Sequence, residues 1–159
     1  MILVLVGTNP YSFDRLVRAA DDYAAKSGEK VFIQLGHTQY KPKYAQWERF
    51  VDRNKLLSLI ETAEIVITQG GYGSLLDCLK AGKKIVAVPR IPELGEAPDR
   101  QDELVKELEK QNKIVAVYDI KKLPSAIECA KHTHFSTGNT SKIGNIIKEF
   151  IETNIKKKL

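Results

Sequence analysis

A run of β-branched residues, Ile65-Val66-Ile67-Thr68, breaks into Gln69-Gly70-Gly71-Tyr72-Gly73 and then into a helical pattern headed by Ser74. β-Branched residues favour a strand, and glycine at three of four positions permits a tight turn. Leu75, Leu76, Cys78 and Leu79 then recur with the spacing of one helix face. Such a junction narrows the options for the whole chain, because the helix must fold back over the sheet that holds the strand. It also leaves backbone N–H groups at the positive end of a helix dipole, where glycine lets an anion approach the main chain.

The same unit repeats. Met1 to Val6 reads as a strand buried on both faces and ends at Gly7-Thr8-Asn9-Pro10. Ser12 is placed to cap a helix running to Gly28, and Lys30 to Leu35 is a second strand. A polar and aromatic loop, 36–44, follows. Phe50-Val51 reads as a short strand, and Asp52 as the cap of a helix through Ala63. Beyond the glycine turn come a helix over Ser74 to Lys80, a strand at Lys84 to Val88 and a long ordered loop from Pro89 to Asp99. A helix over Gln101 to Lys110, a strand at Ile114 to Val117 and a helix from Leu123 to about Lys131 complete the alternation. A last helix, 140–157, carries an Ile and Phe stripe and ends in Lys156-Lys157-Lys158. The expectation is an α/β fold: one Rossmann-like domain over 1–159, with a parallel sheet flanked by helices. Ligands in such sheets bind beyond the carboxyl ends of the strands, so the loops at Gly7, Gly36, Gly70 to Gly73 and Arg90 should share one rim.

Composition sets bounds on function. With 159 residues and a 43% apolar fraction, the chain can build one real core. No stretch approaches the ~20 apolar residues of a membrane span, so a soluble, cytoplasmic protein is expected. The net charge of +5 is modest and uneven, and its concentration in Lys156-Lys157-Lys158 reads as a solvated tail or as attraction to an anionic lipid surface or acidic partner; no nucleic-acid partner is expected. Cys78 and Cys129 sit in helical patterns and read as buried thiols. No His, Cys or carboxylate spacing suggests a metal site. The first strand lacks the GxGxxG of dinucleotide-binding folds, and GxxxxGK[ST] is missing, which disfavours nicotinamide, flavin and common ATP or GTP chemistry.

A phosphorylated ligand remains. Asp77 lies one helical turn beyond Ser74 on the same face, so its carboxylate is placed to accept from two ribose hydroxyls while the turn amides hold phosphate. The plain alternative is a tight turn with a solvated Asp77. Arg90, Glu93, Glu96, Asp99, Arg100, Gln101 and Glu103 form a polar cluster expected opposite this site, with Gln101 as a ligand contact. His37 falls at the rim, whereas His132 and His134 read as exposed. Ser74 has no evident base and reads as a phosphate or cap contact.

Five ordered segments carry a family likeness: Val6-Gly7-Thr8 with Phe13-Asp14-Arg15-Leu16-Val17; Gln34-Leu35-Gly36-His37 with Tyr40-Lys41-Pro42-Lys43; Ala63 to Ser74; Gly82 to Arg90; and Gln101-Asp102-Glu103-Leu104. Over about residues 1–120 the chain resembles the C-terminal half of family 28 glycosyltransferases, which have the GT-B fold. It is most similar to stand-alone subunits of split enzymes, the PssE-type exopolysaccharide subunit and the eukaryotic catalytic subunit of the dolichol-linked GlcNAc transferase. The resemblance implies a UDP-sugar donor held by Gly7, Thr8, Gly70, Gly71, Gly73, Ser74, Asp77, Arg90 and Gln101. Cofactor and metal are both expected to be none. Inverting transfer of a hexose-type sugar would then be completed by a membrane-associated acceptor-binding subunit that brings a lipid-linked acceptor and the general base. That partner would recruit the chain to the inner face of the membrane, with the 140–157 helix as its candidate docking element.

The chain departs from the family pattern at named places. Gln69 stands where relatives carry histidine, and the later loop reads Gly95-Glu96-Ala97 and Arg100-Gln101 in place of Gly-Glu-His and His-Gln. Two other readings stay open at this level. One is a non-catalytic nucleotide-binding subunit; the other is a nucleoside-monophosphate phosphoribohydrolase, whose glycine turn is similar.

Overall fold

Along every central strand, alternate residues enter opposite cores, and this two-residue period organises the molecule. In the computed structural model, which describes residues 1–100, 102–136, 145, 148, 149 and 151–153, six parallel strands form one sheet in the order β3-β2-β1-β4-β5-β6. They are β1 (Ile2–Leu5), β2 (Val31–Gln34), β3 (Gln46–Glu48), β4 (Ile65–Thr68), β5 (Lys84–Ala87) and β6 (Val115–Ala116). The helices are α1 (Asp14–Ser27), α2 (Arg53–Thr62), α3 (Tyr72–Lys80), α4 (Glu103–Lys110) and α5 (Leu123–His132). Ile2, Val4, Val6, Ile33, Ile65, Ile67, Val86 and Val88 face α1 and α5. Leu3, Leu5, Val66, Ile85 and Ala87 face residues of α2, α3 and α4. Both sheet faces are therefore covered, as the continuous apolar runs require.

The order of the strands positions the site. β1 pairs with β2 on one side, Ile2 opposite Val31, and with β4 on the other, Ile2 opposite Ile65. The chain thus winds outward from β1 in one direction and returns in the other, and its switch point is the gap between the carboxyl ends of β1 and β4. Gly7 follows the first of these strands and Gly70 the second.

Three local expectations are corrected. The edge strand is Gln46–Glu48, in parallel pairing with Phe32 to Gln34, and Phe50-Val51 is loop. Its position is fixed by Asp21 of α1, whose carboxylate accepts from Tyr40 Oη at 2.8 Å and from the amides of Lys43 (2.9 Å), Tyr44 (2.8 Å) and Ala45 (2.9 Å). Burial alone would raise the Asp21 carboxyl, but these bonds outweigh it and hold it below the usual carboxylate range. Ser12 does not cap α1; its hydroxyl donates to Asp14 Oδ1 at 2.9 Å, while Thr38 Oγ1 accepts from the Phe13 amide. Finally, Cys78 is buried, with its thiol pushed up to about 12 by desolvation, but Cys129 is exposed.

Two helix boundaries agree with the sequence reading. Gly28 ends α1 in the left-handed conformation, and Asp52 caps α2 by accepting from the Lys55 amide at 2.8 Å. The described residues 145, 148, 149 and 151–153 are helical, and Ile151 packs on the α2–α3–α4 core. The rest of the helix expected over 140–157, and Gln101, lie outside the described residues. Among the described residues no helix is long and apolar enough to cross a membrane, and no group of three or more His, Cys, Asp or Glu converges as a metal site.

Candidate functional site

A cleft of about 320 Å³ opens at the switch point, lined by Leu5, Gly7, Thr8, Gln34, Phe50, Val51, Arg53, Leu56, Gln69, Gly71, Gly73, Ser74 and Asp77. Six of the nine expected contact residues meet there: Gly7, Thr8, Gly71, Gly73, Ser74 and Asp77.

The helix that forms one wall starts earlier than its hydroxyl residue suggests. Gly71 is the N-cap of α3, Tyr72 its first residue, and Ser74 its third; Leu75 closes the first turn by donating to Gly71 O at 3.0 Å. Because the cap is glycine, it offers no side-chain oxygen to the helix's first amides. The Gly73 and Ser74 N–H groups therefore lie beside the cleft at the positive end of the α3 dipole. A Cβ on Gly73 would meet nothing within 4 Å, so the space above that amide is open.

Other glycines work by shape. Gly7 has φ +85, and its N–H donates to Gln34 Oε1 at 2.7 Å while its carbonyl accepts from Gln34 Nε2 at 3.0 Å. Its amide is thus spent on the scaffold, and it serves the cleft by lacking a side chain. Gly70, at φ +89, makes the turn against α4: a Cβ there would lie 2.8 Å from Val105 Cγ2, and the residue borders a small recess behind the main cleft.

Asp77 faces the cleft as its spacing from Ser74 predicts, but its carboxylate is gripped. Arg53, the first residue of α2, donates from Nη1 to Oδ2 at 2.6 Å and from Nη2 to Oδ1 at 2.9 Å. Two of the carboxylate's four lone-pair sites are taken, so ribose hydroxyls must share it with the fork or displace it. The fork is exposed and Asp77 is half-buried, so the pair is free to rearrange.

Arg90 does not line the cleft. Only 7% exposed, it donates to the carbonyls of Tyr11 (2.9 Å), Glu96 (2.9 Å) and Val6 (3.2 Å) and to Gln69 Oε1. Burial pulls its pKa down to about 10, with the nearby Glu96 charge opposing, and it remains a cation at neutral pH. The polar cluster around it divides: Glu96 is buried and grips Arg15 at 2.8 and 3.0 Å, whereas Glu93 and Arg100 pair on the surface. His37 is exposed at the rim, edge-on to Phe50 at 5.1 Å.

Gln34, Arg53 and Leu56 are cleft residues that spacing alone did not single out. For Gln34 the signals are its place in the family-like segment Gln34-Leu35-Gly36-His37 and a polar residue at the end of the apolar run of β2.

Solved structures with this architecture include glycosyltransferases. The calicheamicin glycosyltransferase CalG4 superposes with a TM-score of 0.64 at 15% identity, over 95% of this chain and 42% of that one. The Streptomyces sp. SF2575 glycosyltransferase SsfS6, complexed with thymidine diphosphate, gives 0.62 at 19% identity, over 93% and 37%. A Methanocaldococcus jannaschii UDP-GlcNAc 2-epimerase, in complex with UDP-GlcNAc and UDP, gives 0.62 at 13% identity, over 93% and 44%. At these identities the likeness shows the fold, and this chain spans about two fifths of each neighbour's length. The fold is that of the C-terminal half of a GT-B glycosyltransferase. The model of the glycosyltransferase family 28 C-terminal domain matches residues 1–152, and the chain belongs to that family. No curated protein matches the sequence.

Proposed function

We propose that this domain binds the UDP-sugar donor of an inverting glycosyltransferase, and that the acceptor half is supplied by a membrane-associated subunit carrying a lipid-linked acceptor. The observation that carries the reading is one wall of the cleft, where the open Gly73 and Ser74 amides and the Asp77 carboxylate lie one helical turn apart. That spacing suits a diphosphate followed by a ribose. The complexes of two similar folds with TDP and with UDP support a nucleoside diphosphate. The PssE-like and dolichol-pathway likeness of the sequence supports the split arrangement, with the segment expected to be helical over 140–157 as the candidate docking element.

In this scheme the acceptor hydroxyl attacks the anomeric carbon and the bond to UDP breaks. Charge gathering on the leaving diphosphate is met by the α3 amides and dipole, and the partner contributes the base that takes the hydroxyl proton. No cofactor or metal is called on. Gly7 and Thr8 form the opposite lip, and Gln101, which lies outside the described residues, is the proposed contact just ahead of α4 in the sequence.

Isothermal titration with UDP, UDP-GlcNAc and ADP tests the donor site. Uridine nucleotides should bind in the micromolar-to-millimolar range, and Asp77→Ala should weaken UDP about tenfold, the effect of losing a hydrogen-bond acceptor of about 1.4 kcal/mol. Absence of uridine-nucleotide binding, with the co-expressed acceptor subunit present, refutes it. Transfer to a lipid-linked acceptor only in the reconstituted pair supports the split enzyme over a non-catalytic subunit.

A further inference from the structure

Gln69, the residue that follows β4, is half-buried in the floor of the cleft, and its two amide ends are not interchangeable. Its carboxamide meets Arg90 Nε, and a guanidinium has donors only, so the oxygen must face Arg90 and the NH2 must face away from it. That NH2 lies over the side-chain-free floor: a Cβ on Gly7 would stand 2.5 Å from Nε2, and one on Gly71 3.1 Å. Among the described residues no acceptor takes its protons.

Arg90 is held against turning. Three backbone carbonyls, of Val6, Tyr11 and Glu96, take its Nη protons, and the Phe13 ring lies 4.7 Å from its guanidinium carbon. Those carbonyls come from the loop after β1 and the loop after β5. The cation is thus keyed to the loop after β1, which lends Gly7 and Thr8 to the cleft, and to the loop after β5, which lies behind it.

We propose that Arg90 is a positioning residue that fixes the Gln69 carboxamide with its NH2 turned into the cleft, where it donates to the diphosphate of the bound nucleotide. The proposal rests on the donor-site reading and deepens it. Where the sequence departs from its relatives at Gln69, the chain then supplies a neutral donor whose direction is set from behind by a buried cation. Arg90 acts without touching ligand, and Gln69 joins Gly73 and Ser74 as a third donor around the anion. A donor held in place before binding has no orientational freedom left to lose, and hydrogen bonds to charged oxygens are among the stronger ones.

The test is side-chain amide NMR on the full chain, with the Gln69 NH2 pair assigned by its loss in Gln69→Leu. Titration with UDP should shift that pair together with the Gly73 and Ser74 backbone amides, whereas uridine should leave it in place. Gln69→Leu should weaken UDP about tenfold and change uridine affinity less than twofold. Arg90→Lys, which keeps the charge and loses the Nε contact, should reproduce that split, and the double variant should be no weaker than either single one. Unfolding of Arg90→Lys would leave the wild-type titration and Gln69→Leu to decide. If Gly73 and Ser74 shift with UDP while the Gln69 pair does not, or if Gln69→Leu binds UDP like wild type, the proposal is overturned and the donor site stands. If none of these amides responds to UDP, the donor-site reading fails with it.

Discussion

Gly73→Ala should stabilise the fold while weakening the ligand's hold, two effects that ordinarily move together. The residue is the second of α3, its φ is not positive, and a Cβ would find no atom within 4 Å. Alanine there costs nothing sterically and restricts the unfolded chain, which is worth about 0.4–1 kcal/mol of added stability. For a chain of this length that corresponds to a rise in Tm of about 1–4 °C. The empty space it fills is the approach to the Gly73 and Ser74 amides. A methyl group there keeps a phosphate oxygen from closing to hydrogen-bond distance, and losing one charge-assisted bond of about 1.5–3 kcal/mol predicts roughly ten- to a hundredfold weaker UDP binding. Thermal denaturation and titration calorimetry on the same preparation read both numbers. A stably folded Gly73→Ala protein that binds UDP within twofold of wild type would show that the phosphate does not sit at this helix end. A fall in Tm of several degrees would show that the space is not open.

Gly7→Ala should behave oppositely. It forces φ +85 on a residue with a side chain and drives Cβ to 2.5 Å from Gln69 Nε2, so stability should fall by at least about 1–2 kcal/mol, read by urea denaturation. Acid unfolding should report Asp21. Its folded carboxyl lies below the unfolded value of 3.8, so its contribution is complete above about pH 4 and is lost as pH falls through the folded pKa. Asp21→Asn should be less stable at pH 7 and lose less on further acidification, and equal slopes for the two proteins would contradict the assignment. A thiol reagent should modify Cys129 in the native protein and reach Cys78 only on unfolding.

Much of the architecture is legible in the sequence because the four central strands are buried on both faces and so read as unbroken apolar runs. The edge strand is different. Gln46–Glu48 is short and largely exposed, and its place is set by Asp21, more than twenty residues earlier, through bonds that leave no local pattern. The start of α3 was shifted for a related reason: a glycine cap carries no hydroxyl to announce it. Within the site, Gly73, Ser74 and Asp77 belong to one helix, so helical spacing brings them together on the page. Arg53 and Gln34 come from other elements and reach the cleft only through the strand order. Arg90 shows the limit of residue type as a guide. A cation at the end of a strand suggests an anion contact, but buried carbonyls need donors too, and here they claimed it.

The loop from Pro89 to Ala97 is fastened before any ligand arrives. Glu96, 4% exposed, grips Arg15 of α1 and accepts from the Ile91 amide at 2.7 Å, while Arg15 reaches Pro89 O at 3.0 Å. The loop borders the small recess behind the cleft through Arg90 and Ala97, and a support tied in this way has no closed form to search for, so nucleotide encounter should proceed in a single exponential whose rate rises linearly with ligand concentration. Under the proposed two-part arrangement, any slow closing step would belong to the docking of the acceptor half and not to this loop.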